Sequence, residues 1–215
     1  MLLLSLDAAF SYQNFTLFEA ESGRCLLQWG EDRGKKSLEL FPKIFKDLGV
    51  DPRSVDLFAV NLGPGYSTSL RVGITLIKTY AQVSKKPLVT YTSFEAMLPY
   101  LGGEGEYLLL VKVSRYWVFS RAGVARGKVR LSERPGVLSE EVLTELSRSG
   151  ERPTFATPRR WKGELEEFLK GRFEVRGLPL EGFSYGGALA ALEKVGRGEF
   201  ADLFKVEPVY FRPPV

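Results

Sequence analysis

Apolar and polar positions follow two alternating periods along this chain. Leu2 to Leu6 is an apolar run ending on Asp7, and Asn14 to Ala20 and Arg24 to Trp29 flank Ser22-Gly23, which predicts a strand followed by a hairpin. From Ser37 to Gly49 the period lengthens. Leu38, Phe41, Ile44, Phe45 and Leu48 fall on one face of a helix capped by Ser37, with Pro42 marking an early turn or kink. Val55 to Asn61 reads as a buried strand running into Gly63-Pro64-Gly65, where two glycines bracket a ring-locked residue. A helix from Thr68 to Val83 follows, with Leu70, Ile74, Ile77 and Ala81 on its core stripe. A glycine turn opening into a helix leaves backbone N–H groups suited to a phosphate, a carboxylate or a partner's backbone. On chemistry alone it reads first as a plain strand-to-helix connection and only second as such a site.

Leu88 to Tyr91 is a further strand, and Thr92 or Ser93 caps a helix running to Leu101 through Phe94, Met97 and Leu98. Gly102-Gly103-Glu104-Gly105-Glu106 is the clearest linker, dividing the chain into lobes 1–101 and 102–215. Beyond it, Tyr107 to Ser114, Tyr116 to Ala122, Lys128 to Leu131 and Thr154 to Ala156 read as strands, and Ser139 to Ser149 and Gly163 to Leu169 as amphipathic helices. Ser184 is expected to cap a helix running to Val195. The proline- and aromatic-rich end from Val206 is expected to lie extended against the body.

The chain has 215 residues, 44% apolar and 26% charged, enough for one large domain or two small lobes. Histidine is absent, which removes Ser-His and Cys-His nucleophile pairs and His-built zinc sites. Cys25 is the only cysteine, so neither an intrachain disulfide nor a cysteine metal cluster is expected. Met1 to Leu4 is too short an apolar run for a signal peptide, and the expected location is the cytoplasm. Two motifs fail on inspection. Gly34-Lys35-Lys36-Ser37 lacks the earlier glycine of a P-loop, because Gly30 stands one residue too close. Gly182-Phe183-Ser184-Tyr185-Gly186 spells a nucleophile elbow, but no strand directly precedes it and no imidazole is available. From Lys112 to Arg130 six basic residues, among them Arg115, Arg121, Arg126 and Lys128, occur with no acidic one and with Tyr116, Trp117 and Phe119 between them. This segment reads first as a hairpin with a solvated basic face, and second as an RNA-facing patch that Arg159, Arg160 and Lys162 extend.

Gly63-Pro64-Gly65, Thr68 and Leu70-Arg71-Val72-Gly73-Ile74 resemble the Gly-Pro-Gly-Ser-Phe-Thr-Gly-Leu-Arg-x-Gly-Ile signature of the TsaB (YeaZ) family. Leu6-Asp7-Ala8-Ala9 resembles that family's opening, and Glu207-Pro208-Val209-Tyr210-Phe211-Arg212 its close. The resemblance implies an α/β, actin/Hsp70-like (ASKHA) fold of two lobes, each a mixed sheet with helices. It implies a non-catalytic subunit that binds the paralogue TsaD in the complex forming threonylcarbamoyladenosine beside the tRNA anticodon.

Further expectations follow from the family. Asp7, Gly63, Pro64, Gly65, Thr68, Arg71 and Gly73 would face a nucleotide, with none bound by the chain alone and ATP or ADP only at the TsaD junction. No metal is expected. Leu38, Leu40, Phe41, Phe45, Leu70, Ile74, Leu76, Ile77 and Tyr80 on two helices would form the partner surface, the off-stripe Leu40, Leu76 and Tyr80 being its outward members. A TsaE-like ATPase is a further partner, a homodimer is the expected state alone, and tRNA is contacted indirectly. The sequence departs from the family pattern at Ala8, Tyr66-Ser67, Ser69, Lys36-Ser37-Leu38-Glu39 and Val113-Ser114-Arg115, changes that bear on nucleotide binding more than on fold. The alternative is an ATP-binding or phosphotransfer enzyme of the actin-like superfamily, acting alone with a metal at Asp7. An RNA-binding module ranks after both.

Overall fold

A computed structural model describes residues 1–32, 41–132 and 134–211. They form two compact units. The first comprises Met1–Ala96 and Glu181–Tyr210. Its five-stranded sheet has the order β3-β2-β1-β4-β5, from β1 (Leu2–Asp7), β2 (Tyr12–Glu19), β3 (Arg24–Asp32), β4 (Leu57–Asn61) and β5 (Leu88–Tyr91). β1 to β3 form an antiparallel meander, whereas β1, β4 and β5 run parallel. This is a mixed sheet with helices, as expected from the sequence for the first lobe. β4 is buried at all five positions, as a central parallel strand covered on both faces should be.

Helices α2 (Ser67–Ser84) and α6 (Phe183–Gly196) cover this sheet. The expected stripe of α2 is its core face: Leu70, Ile74, Ile77 and Ala81 are buried, each large side chain contributing on the order of 1.5–3 kcal/mol. Lys85, in the left-handed conformation, ends the helix. α1 (Phe41–Asp47) adds Phe41 and Phe45 to a ring cluster with Phe15 and Trp29. Phe45 stands edge-on to Phe15 at 4.9 Å. Leu38 and Leu40, with the expected cap Ser37, lie outside the described residues. α3 (Ser93–Met97) begins with a reciprocal capping box, Thr92 Oγ1 accepting from Glu95 N–H and Glu95 Oε2 from Thr92 N–H. Pro99 follows it in a 3₁₀ turn.

The second unit is built from Met97–Leu180. Its sheet has the order β11-β10-β6-β7-β8, from β6 (Gly105–Val113), β7 (Tyr116–Ala125), β8 (Lys128–Leu131), β10 (Thr154–Pro158) and β11 (Val175–Leu178), with β9 (Gly136–Val137) pairing β7. β6, β10 and β11 are parallel. α4 (Glu140–Ser149) buries Leu143 and Leu146, and α5 (Lys162–Leu169) buries Leu165 and Leu169. Ser139 caps α4 as expected, accepting from Val142 N–H.

The sequence placed residues 102–215 in one lobe, but Glu181–Tyr210 pack with the first unit. The reason lies in α6. Gly186 and Gly187 let it approach so closely that a β-carbon would stand 2.1 Å from the Ala96 carbonyl oxygen and 2.1 Å from the Tyr91 ring. Ser184 is not the cap either: Gly182 takes that place, and Ser184 is the second helical residue. Among the described residues, no helix is long and apolar enough to cross a membrane.

Candidate functional site

The signature turn organises a buried polar cluster in the first unit. Asp7, at the end of β1, is fully buried. Its Oδ1 accepts from Ala9 N–H at 2.9 Å and its Oδ2 from Asn61 Nδ2 at 2.6 Å. The same Asn61 amide group donates to Ser93 Oγ, while Asn61 Oδ1 accepts from Gly63 N–H at 2.7 Å. Ser93 Oγ donates to the Pro64 carbonyl, and Ser93 N–H to that of Gly63, fixing the turn from β4 to α2 against the start of α3.

Two glycines make this closeness feasible. Gly63 has φ of 109°, and a β-carbon on Gly65 would lie 2.4 Å from the Ala9 carbonyl oxygen, which accepts from Tyr66 N–H. Gly73 allows α2 to rest on β1, since a β-carbon there would be 2.7 Å from the methyl of Ala8. Burial pushes the Asp7 carboxyl up to about 6 from its ordinary 3.8, outweighing the Asn61 and Ala9 bonds that lower it. Burial also drives the Tyr91 hydroxyl well above its ordinary value, helped by the Asp7 charge.

The expected nucleotide-facing set therefore divides. Asp7, Gly63, Pro64, Gly65 and Gly73 come together, but Thr68 and Arg71 do not. Both lie on the exposed side of α2, and Arg71 reaches Tyr210, donating to its hydroxyl and lying over its ring at 5.2 Å. Sequence reasoning missed Asn61 and Ser93; the signal was a lone amide ending the apolar run of β4, two residues before the turn. A second polar pair joins β2 to α6: Ser184 Oγ and Thr16 Oγ1 share a hydrogen bond of 2.8 Å, and Ser184 N–H donates to Asn14 Oδ1. Ser184 is fully buried, so the elbow-like motif serves as a strand-to-helix tie.

The expected partner surface is also redistributed. Phe41, Phe45, Leu70, Ile74 and Ile77 are buried in the first unit's own core, so they are unavailable to a partner. Leu76 and Tyr80 are half-buried, the ring of Tyr80 stacking on Phe58 at 6.5 Å. The exposed side of α2 instead carries Thr68, Val72, Thr75, Thr79 and Val83, with Val72 38% and Val83 74% exposed. The helix has two charged residues, both tied to the C-terminal segment: Arg71 at Tyr210, and Lys78, whose Nζ donates to the Val206 carbonyl. An outer helix face normally carries charge; this one presents β-branched, uncharged side chains.

The basic segment does not form one patch. Arg121 pairs with Glu151 at 2.7 Å, and Arg126 stands with Lys128 at the far turn of β7 and β8, where its N–H donates to Glu104. Arg115 lies at the opposite end of β7, roughly 30 Å away at about 3.3 Å per residue. Among the described residues, no group of three or more His, Cys, Asp or Glu side chains is placed to hold a metal ion.

Residues 35–112 match the family described as "TsaD: tRNA N6-adenosine threonylcarbamoyltransferase". Two proteins named tRNA N6-adenosine threonylcarbamoyltransferase are similar in sequence. That of Methanopyrus kandleri is 29% identical over 108 residues, 41% of this chain and 31% of its own length. That of Thermomicrobium roseum is 28% identical over 148 residues, 56% of this chain and 40% of its own. The chain thus spans less than half the length of these relatives. Over nearly its whole length it shares the fold of YeaZ from Pseudomonas aeruginosa, with a TM-score of 0.71 at 21% identity, covering 97% of this chain and all of the other. A Pseudomonas aeruginosa protein described as similar to peptidase YeaZ gives 0.72 at 19% identity, covering 98% and 99%. The resemblance read from three stretches of sequence is met by both comparisons: the fold is that of YeaZ, and the sequence match is to TsaD.

Proposed function

We propose that this chain is a TsaB-type subunit, a scaffold that pairs with a TsaD-type paralogue in the complex forming threonylcarbamoyladenosine on tRNA. The observation that carries this reading is the outer side of α2. Thr68, Val72, Thr75, Thr79 and Val83 line a five-turn helix without a charge among them, beside Val209 and Tyr210, which are 41% and 42% exposed. Interfaces are depleted of charge at their centres, and β-branched side chains lose little conformational freedom when covered. A second copy of the chain is the partner when TsaD is absent. A TsaE-like ATPase, ATP or ADP at the junction and the tRNA complete the assembly.

The arrangement around Asp7 supports a scaffold over an ATP-binding or phosphotransfer enzyme. Asp7 is fully buried, each of its oxygens accepts a hydrogen bond from the protein, and burial raises its carboxyl to about 6, a setting that favours a structural tie. The reading is tested by light scattering on a sizing column with the TsaD-like protein of the same genome, with and without ATP. A one-to-one complex is expected, weakened by Val72→Asp, which sits outward enough to leave the fold intact by circular dichroism. A complex indifferent to Val72→Asp would move the interface elsewhere, and no complex in any nucleotide condition would overturn the scaffold.

A further inference from the structure

The topology of the second unit gathers basic side chains that are far apart in sequence. β6 and β10 are parallel, with Ala156 opposite Leu109, so the residues after Pro158 emerge beside Lys112 and Val113. β7 begins at this same end, because it pairs antiparallel with β6 from Val113 opposite Tyr116. Arg115, Arg159 and Arg160 are exposed here, with Lys112 and Lys162 half-buried at their base. Gly177 of β11 makes room for two of the stems. A β-carbon there would lie 3.0 Å from Arg159 Cγ and 3.4 Å from Lys162 Cδ.

The lower lysines are held in place by carboxylates, Lys112 by Glu164 and Lys162 by Glu166. Three rings steady the cations: Tyr116 under Arg115, Trp117 under Lys112 and Trp161 under Arg160. Trp117 and Trp161 are buried, leaving only Tyr116 half-exposed, so the surface offers charge rather than a stacking platform.

We propose that this end of the second sheet is a direct contact for the phosphodiester backbone of RNA, through Arg115, Arg159 and Arg160. Guanidinium groups fit phosphate oxygens in bidentate fashion, and the C-terminal ends of parallel strands are where open α/β sheets receive ligands. That the polyanion is RNA and not an acidic protein rests on the function proposed above; the placement of the site rests on the fold alone. The basic turn at Arg126, Lys128 and Arg130, at the other end of β7, supplies the internal control.

The test is anisotropy of a fluorescein-labelled, unmodified tRNA transcript titrated with the full-length chain at several salt concentrations. Two variants are compared, Arg115→Glu/Arg159→Glu/Arg160→Glu and Arg126→Glu/Lys128→Glu/Arg130→Glu, which have equal net charge. The first is expected to lose on the order of tenfold or more in affinity and to lower the log–log salt slope by about 2, the share of three phosphate contacts; the second stays near wild type. Equal losses, a larger loss in the second, competition by polyglutamate as strong as by unlabelled RNA, or no binding by the wild type at low salt would each overturn it. Complex formation with the TsaD-like protein is a separate readout. No RNA binding by the wild-type chain although the complex forms sinks this site alone, whereas site-specific RNA binding without a complex sinks the scaffold alone.

Discussion

Asp7 makes a measurable demand on the pH dependence of stability. Its carboxyl is pushed up to about 6 in the folded protein from an ordinary 3.8. Below 3.8 both folded and unfolded chains hold the proton, and the group affects neither. Between 3.8 and about 6 the unfolded chain releases the proton while the folded chain retains it, so stability falls as pH rises; above about 6 the folded state bears a buried charge and the loss is complete. The gap between the two values, at about 1.4 kcal/mol per pH unit, amounts to about 3 kcal/mol lost between pH 3.5 and 7. Asp51, Asp56, Glu140 and Glu199 act in the opposite sense, because hydrogen-bonded partners lower them and favour the folded state above their unfolded pKa. Asp7→Asn removes one titration and leaves the rest. Its amide meets the Asn61 amide unfavourably, but that cost does not change with pH. Urea unfolding followed by tryptophan fluorescence from pH 3.5 to 7.5 should show the variant gaining about 3 kcal/mol relative to wild type across the window. A flat difference, or one of opposite sign, would mean that Asp7 is ionised at no cost and would reopen it as a cation ligand.

Two further variants test the packing of the site. Gly65→Ala places a β-carbon against the backbone of Ala9 rather than a movable side chain, so a loss of about 2 kcal/mol or more in unfolding free energy, measured by urea titration, is expected; a neutral effect would refute the close approach. Ser184→Ala leaves the buried Thr16 hydroxyl without its partner and should lower stability by about 1–2 kcal/mol. Hydrolysis of p-nitrophenyl acetate that vanished in this variant would contradict the structural role of Ser184.

What was legible in the sequence was periodic. The stripe Leu70, Ile74, Ile77, Ala81 is the buried face of α2, and the strand–glycine turn–helix order is met, because hydrophobic spacing and glycine chemistry act locally. The outer face was misjudged because apolar side chains off the stripe were sought there. Tyr80 is covered by Phe45 and Phe58, whereas threonines, which read as neutral, form the uncharged surface. β9 is too short to leave a pattern, and Gly177 interrupts β11. The return of α6 to the first sheet is a long-range choice that no window contains. Its trace is the pair Gly186-Gly187 inside an apolar helix, where a close approach is the physical reason to forgo a side chain. The basic segment misled for the converse reason, since neighbours along β7 stand at opposite ends of a ten-residue strand while Arg159 and Arg160 arrive from elsewhere.

These placements turn the signature inward. A phosphate-binding turn keeps its N–H groups and a carboxylate directed at an open cleft. Here Gly63 N–H is bound to Asn61, Tyr66 N–H to Ala9, and both oxygens of Asp7 to Ala9 and Asn61. Each of these groups fixes β1, β4 and α3 around the start of α2, so their combined effect is to hold one helix at a set angle on the sheet. The residues of the signature that do not join this cluster, Thr68 and Arg71, lie on the helix's exposed side, one within the uncharged stripe and one clamping Tyr210 beside it. A motif whose polar half anchors a helix and whose outer half shapes its exposed face is suited to presenting a surface, as the proposed scaffold role requires.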